Sequence, residues 1–256
     1  MAEISLVATL AAFVASALSK NRPMVSQVAR GALGVAAVSL LAKLVWRSIQ
    51  LSFPAMTRSY EGLSIFALAF LLALIFLNAP EHSARRRVVT IGSFLVFLLL
   101  ALLSSPLVPS ELRPPVPALR SHWLVLHVAF AFIGLALFTL GTLAAVLAFR
   151  VGEGTRNSYD RLMDEAVALG FVFYVTGGLV FGAIWAEAAW GRFWGWDPKE
   201  TWALITSLSY TAYLHLRYVK GVSPKVSRVL VIVSWVLAGF TYLGVNALLP
   251  GLHSYA

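Results

Sequence analysis

The chain is 256 residues long, with 59% hydrophobic residues, 12% charged residues, no cysteine and a formal net charge of +9. A soluble domain averages about 45–50% apolar and about 25% charged residues, so a typical soluble enzyme, a disordered chain, a coiled coil and a disulfide-stapled module are excluded. Without cysteine the chain itself supplies no thiolate nucleophile, no Cys-type zinc site and no Fe–S cluster.

The apolar residues fall in blocks, and windows of about 18–20 residues, the length that crosses a ~30 Å hydrocarbon core, predict eight spans. In chain order these are Ile4–Leu18, Val28–Val45, Gly62–Leu77, Val88–Leu103, Trp123–Phe149, Ala166–Trp185, Thr201–Leu216 and Val229–Leu249. The first is short, but Met1, Ala2 and Glu3 before it carry no Lys or Arg, which a signal peptide requires, so it reads as a span. After the fourth span, Pro106, Pro109, Pro114, Pro115 and Pro117 predict an extended external segment over the mouth of the bundle. Gly134 and Gly141 in the fifth span, with Gly170, Gly177, Gly178 and Gly182 in the sixth, read as points of close helix approach. The longest polar connection, Arg150–Glu165, is too short for a second soluble domain, and no internal repeat is visible.

Basic residues orient these spans. The connections after the first, third, fifth and seventh spans, with Arg30 snorkelling into one of them, carry thirteen Lys and Arg; the others carry seven. The thirteen mark the cytoplasmic side. The expectation is therefore an all-α integral membrane protein, one polytopic domain over residues 1–256, a bundle of about eight transmembrane helices with both termini outside (N-out/C-out). The same distribution excludes nucleic acid as the partner of the +9 charge, because the basic residues flank apolar helices without aromatic interleaving. Membrane lipid headgroups are their expected contact.

Polar and aromatic residues where lipid disfavours them point to function. On this topology His127, four residues into the fifth span, His253, after the eighth, and the sixth connection converge on the external face. His122 lies at that face too, but its five-residue offset turns it away from His127, and it reads as interfacial beside Trp123. The external connection, about residues 185–202, holds five of the eight tryptophans. Crowding on one loop, with Gly191 and Gly195 removing bulk between rings, suits a flat surface for a planar macrocycle better than an aromatic belt does. Asp197-Pro198-Lys199-Glu200 reads as an N-cap, a first-turn proline and an acidic residue three after the cap, a helix start. His215 lies about 27 Å from Asp197 along a helix at 1.5 Å per residue. It serves a second, inner site or snorkels beside Arg217.

The segment WGRFWGWDPKETW resembles the tryptophan-rich WWD motif of a haem-handling superfamily. SHWLVLHVAF, AYLHLR and GLHSY resemble corresponding parts of the CcsA/ResC-like (System II) cytochrome c biogenesis proteins, and the resemblance covers Ser121–Tyr255. It implies haem b on an external surface formed by Trp185, Trp190, Gly191, Trp194, Gly195, Trp196 and Asp197, with His127 and His253 as axial ligands of the haem iron. It also implies an inner haem ligand at His215 and a CcsB/ResB-like membrane partner. Together the two proteins act as a cytochrome c synthase (haem lyase), moving haem outward and presenting it to the Cys-X-X-Cys-His motif of apocytochrome c for thioether attachment. The family's inner haem takes two histidines, and this sequence has no second one at the depth of His215; His82 sits in a cytoplasmic connection, and the partner chain is the expected source. The implied location is a bacterial plasma (inner) membrane or a thylakoid membrane. Alternative readings are a HemX-like regulator or scaffold of haem biosynthesis, a CcmC-like haem delivery protein, or a secondary transporter. The last lacks visible inverted halves, and a scaffold has no evident need of a tryptophan surface flanked by histidines.

Overall fold

The structure, a computed structural model, describes residues 2–18, 23–77, 83–249 and 251. Eight helical rods run through these residues: α1 (Ala2–Leu18), α2 (Pro23–Leu51), α3 (Ser59–Leu77), α4 (Ser83–Leu103), α5 (His122–Ala148), α6 (Glu153–Trp190), α7 (Pro198–Tyr218) and α8 (Pro224–Leu248). Two rods are interrupted by wider π-helical turns, α6 over Val175–Phe181 and α8 over Phe240–Gly244. No strand occurs among the described residues.

Six rods, α2 to α6 and α8, are long and apolar enough to cross a membrane. Large apolar side chains such as Val38, Phe76, Val172 and Val236 are exposed on them, the distribution of a protein whose outer surface meets lipid. Length and composition thus support six spans where eight are expected. α1 is apolar but only 17 residues long. α7 has 21 residues but is polar. Its polarity is turned inward: Thr206, Ser207, Tyr210 and Tyr213 are buried while Ile205 and Leu208 are exposed.

The chain divides into two compact units, Met1–Pro115 and Val116–Ala256. In the first, α1 packs on α2 and α4, and α3 packs on α2 and α4. A buried ion pair ties α2 to α3, with Arg47 Nε donating to Glu61 Oε1 at 3.1 Å. The same guanidinium donates to the Ser110 carbonyl at 2.8 Å, which fastens the proline-rich segment to this unit. Lys43 Nζ donates to the Tyr60 hydroxyl beside it.

In the second unit α5 lies along α6 and α8, and α7 packs against both α6 and α8. Small residues permit the α5–α6 contact. A Cβ on Gly134 would lie 2.8 Å from Tyr174, and one on Gly177 would lie 2.5 Å from the Ala131 backbone nitrogen. At the end of α6 that carries Asp160 and Asp164, two ion pairs lock the rods. Arg228 of α8 donates twice to Asp160, at 2.7 and 2.6 Å. Asp164 accepts from Arg217 at 3.0 and 2.8 Å and from the Tyr213 hydroxyl at 2.5 Å, both on α7.

Candidate functional site

His127 is half-buried near the start of α5, and its Nδ1 lies 2.8 Å from the Gly177 carbonyl oxygen in the π-helical part of α6. A carbonyl only accepts, so Nδ1 carries the proton and Nε2 is the nitrogen with the lone pair. Metal-binding histidines are held in this way, by a backbone acceptor that fixes tautomer and ring direction. Gly177 O also accepts the Gly182 amide across the π turn. The wide turn thus serves α6 and His127 together.

The ring is held from one side by Trp185, stacked at a centroid distance of 6.0 Å and an interplanar angle of 20°. Trp185 is itself only 2% exposed, and it packs with Leu119 and Leu124. Its Nε1 donates to the Ala118 carbonyl at 3.1 Å, so the residues after the proline-rich segment brace the imidazole through Trp185. Gly182 leaves room for the ring, since a Cβ there would stand 2.9 Å from His127 Nδ1. Gly182→Ala is therefore expected to displace His127 from Gly177 while the helix stays intact, alanine being the better helix former. A ligand held by His127 should bind about 10–100-fold more weakly, as for other losses of ligand support. Unchanged ligand affinity in a titration of that variant would contradict the role given to Gly177.

His127 opens onto a cavity of about 140 Å³ between α5, α6, α7 and α8. Phe132, Tyr174, Trp194 and Tyr242 give it aromatic walls, with Val128, Leu135, Ala183 and Ala238 as apolar lining. Small-molecule sites have this character, an apolar and aromatic lining with a few polar groups. Both π-helical segments reach it, α6 through Gly178 and α8 through Thr241 and Tyr242, and such turns concentrate at functional sites. Among the described residues no group of three or more His, Asp or Glu side chains could hold a metal ion. A single fixed imidazole suits a metal that brings its other ligands with it.

The tryptophans of the loop have separate positions. Trp190 packs on Trp185 at 4.8 Å, edge to face. Trp194 lines the cavity and meets Trp196 edge-on at 5.8 Å, and Trp196 is 70% exposed. Gly191 ends α6 with φ +71° and open space around it, a left-handed conformation that favours glycine. The Arg192 guanidinium lies over Gly195, whose Cβ would stand 2.7 Å from Arg192 Nε. Asp197 and Glu200 close the capping box at the head of α7: Asp197 accepts from the Lys199 amide at 2.9 Å, and Glu200 Oε2 accepts from the amides of Gly195 and Asp197 at 2.8 and 3.1 Å. These bonds fix the loop's exit, and with it Trp194 on the cavity wall.

His253 and His82 lie outside the described residues. Gly251 is described, and a Cβ on it would stand 2.4 Å from Asp197 Oδ2, so the chain after α8 passes against the loop two residues before His253. His122 is exposed at the first turn of α5. His215 is exposed in the last turn of α7, far from this cavity in sequence, with Arg217 near it. Sequence reading assigned Lys199 only to a helix start and passed over Thr241 and Tyr242, yet all three line the cavity. Lys199 stands ahead of the apolar run of α7. Burial lowers its pKa to about 8, against an opposing pull from Asp197.

The profile of one protein family, described as Cytochrome C assembly protein, matches residues 33–253. Several relatives bear the name cytochrome c biogenesis protein CcsA. The one from Chlamydomonas reinhardtii is 40% identical over 165 residues, which is 60% of this chain and 46% of that protein. The one from Prochlorococcus marinus (strain NATL2A) is 33% identical over 272 residues, 90% of this chain and 85% of the relative. The one from Heterosigma akashiwo (strain NIES-293 / 8280G21-1) is 31% identical, covering 98% of this chain and 92% of the relative.

Proposed function

Because the chain belongs to the cytochrome c assembly protein family, as a CcsA-like member, we propose that it serves cytochrome c biogenesis by holding haem at the His127 cavity. The observation that carries this reading is the imidazole itself: its proton is held by Gly177 and its face by Trp185, beside an aromatic cavity. His127 would be one axial ligand and His253 the other; the passage of Gly251 against Asp197 supports the second assignment. Trp194, Phe132 and Tyr242 would flank the macrocycle. Haem iron accepts imidazole nitrogen as an axial ligand, and the protein's part is to bind, orient and keep one edge of the ring accessible. The thiols come from the Cys-X-X-Cys-His motif of apocytochrome c, in keeping with a chain that has none.

The inward polarity of α7, together with the apolar character of α1 at 17 residues, the lower end of spanning lengths, supports eight crossings rather than six. The bias of basic residues then places both termini and the Trp-rich loop outside, in a bacterial plasma membrane or a thylakoid membrane. His215 would meet haem at the inner end, where a CcsB/ResB-like partner completes the ligand set and shares in the outward movement of haem. Deleting the chain from its host and staining for covalently bound haem tests the whole reading. Loss of c-type cytochromes, restored by the wild-type chain, is the expected result. Undiminished maturation without it would overturn the reading in favour of a regulator of haem synthesis.

A further inference from the structure

The cavity carries one lysine among the side chains that line it. Lys199 Nζ donates to Asn246 Oδ1 at 2.9 Å and sits 5.8 Å from the centre of the Tyr242 ring. An ammonium has three donors and no acceptor, and these contacts use one of them. Among the described residues Lys199 forms no ion pair. Asp197 acts on the ammonium electrostatically without pairing with it, its Oδ1 accepting from the Lys199 amide, and Glu200, which also lines the cavity, has its Oε2 taken up by the Gly195 and Asp197 amides. A half-buried cation on a largely apolar wall attracts an anion brought by the ligand, because a charge removed from water is stabilised by a partner.

We infer that Lys199 is the carboxylate-recognition residue of this cavity, receiving an acidic edge substituent of the same ring-shaped ligand whose metal His127 faces. The inference rests on the haem reading above. Haem carries two propionates on one edge and its vinyl groups away from them, so a propionate held at the head of α7 fixes which edge is left to incoming thiols. Lys199 then orients the ligand while His127 holds the metal. Asn246 and Tyr242, both on α8, hold the ammonium in place.

The test uses the whole chain purified in detergent and titrated with haem and with haem dimethyl ester, in which both propionates are masked, followed by visible absorption. Wild type is expected to bind haem about tenfold or more tighter than the diester, the range of a charge-assisted hydrogen bond. Lys199→Met should bind both with the affinity of the diester, and Lys199→Arg should keep the preference. Should Lys199→Met fail to fold, the diester comparison on wild type still decides whether carboxylates are recognised. Equal affinities in wild type, or an undiminished preference in Lys199→Met, would overturn the assignment of Lys199 while leaving the haem reading standing. Binding of neither compound by wild type would overturn the haem reading and this inference with it.

Discussion

His127→Ala is expected to weaken haem binding more than about 100-fold, beyond the 10–100-fold typical of losing a supporting contact. The reason is geometric. Trp185, buried and bonded to Ala118, and the Gly177 carbonyl together hold the imidazole in one orientation. No other histidine among the described residues lines this cavity. Alanine leaves a hole of imidazole shape between Trp185 and Gly177, so added imidazole should restore part of the binding. A merely structural histidine would show a different pattern, with lost stability and no rescue. The check is a titration of wild type and variant with haem, with and without imidazole. Unchanged affinity in His127→Ala would remove this residue from the site.

Asp160→Ala is expected to cost about 3–5 kcal/mol of stability, because it leaves the Arg228 guanidinium buried without its carboxylate. The pair is nearly sealed, at 5% and 7% side-chain exposure, and makes two parallel hydrogen bonds. The Phe149 ring, 5.4 Å from the Arg228 guanidinium carbon, offers only a cation–π contact of about 1–2 kcal/mol. Replacing both partners, as Asp160→Leu with Arg228→Met, should recover most of the loss, since well-packed apolar substitutes for a buried pair are often neutral. The exposed Arg113–Glu111 pair is the control, at 63% and 69% exposure; Arg113→Ala should change stability by about 0–1 kcal/mol. Reversible unfolding in detergent measures these three variants against wild type. A loss within about 0.5 kcal/mol for Asp160→Ala would contradict the locking role of this pair.

Much of the helical layout is legible in local chemistry. Asp197-Pro198-Lys199-Glu200 announces the head of α7, and the capping box forms there. The glycines of the fifth and sixth spans mark the tight α5–α6 contact, at Gly134 and Gly177. Other features depend on tertiary context. The π-helical turns of α6 and α8 leave no periodic signal, because they are set by what packs against them, His127 in one case. Arg217 and Arg228 read as topology flanks, yet each is committed to a carboxylate of α6. The i,i+4 spacing of Asp160 and Asp164 was the available sign. The crowding of tryptophans suggested one flat surface, but crowding says nothing of burial: Trp185 is interior and braces His127, whereas Trp196 is outside. Lys199 was masked by its local task. A residue that starts a helix can also face a cavity, and only the fold reveals the second role.

The most direct test of the haem site is the visible absorption and magnetic circular dichroism of the chain purified from haem-replete cells. The proposed site predicts bound, low-spin, six-coordinate haem with two imidazole ligands. A haem-free protein, or bound haem without histidine ligation, would contradict it.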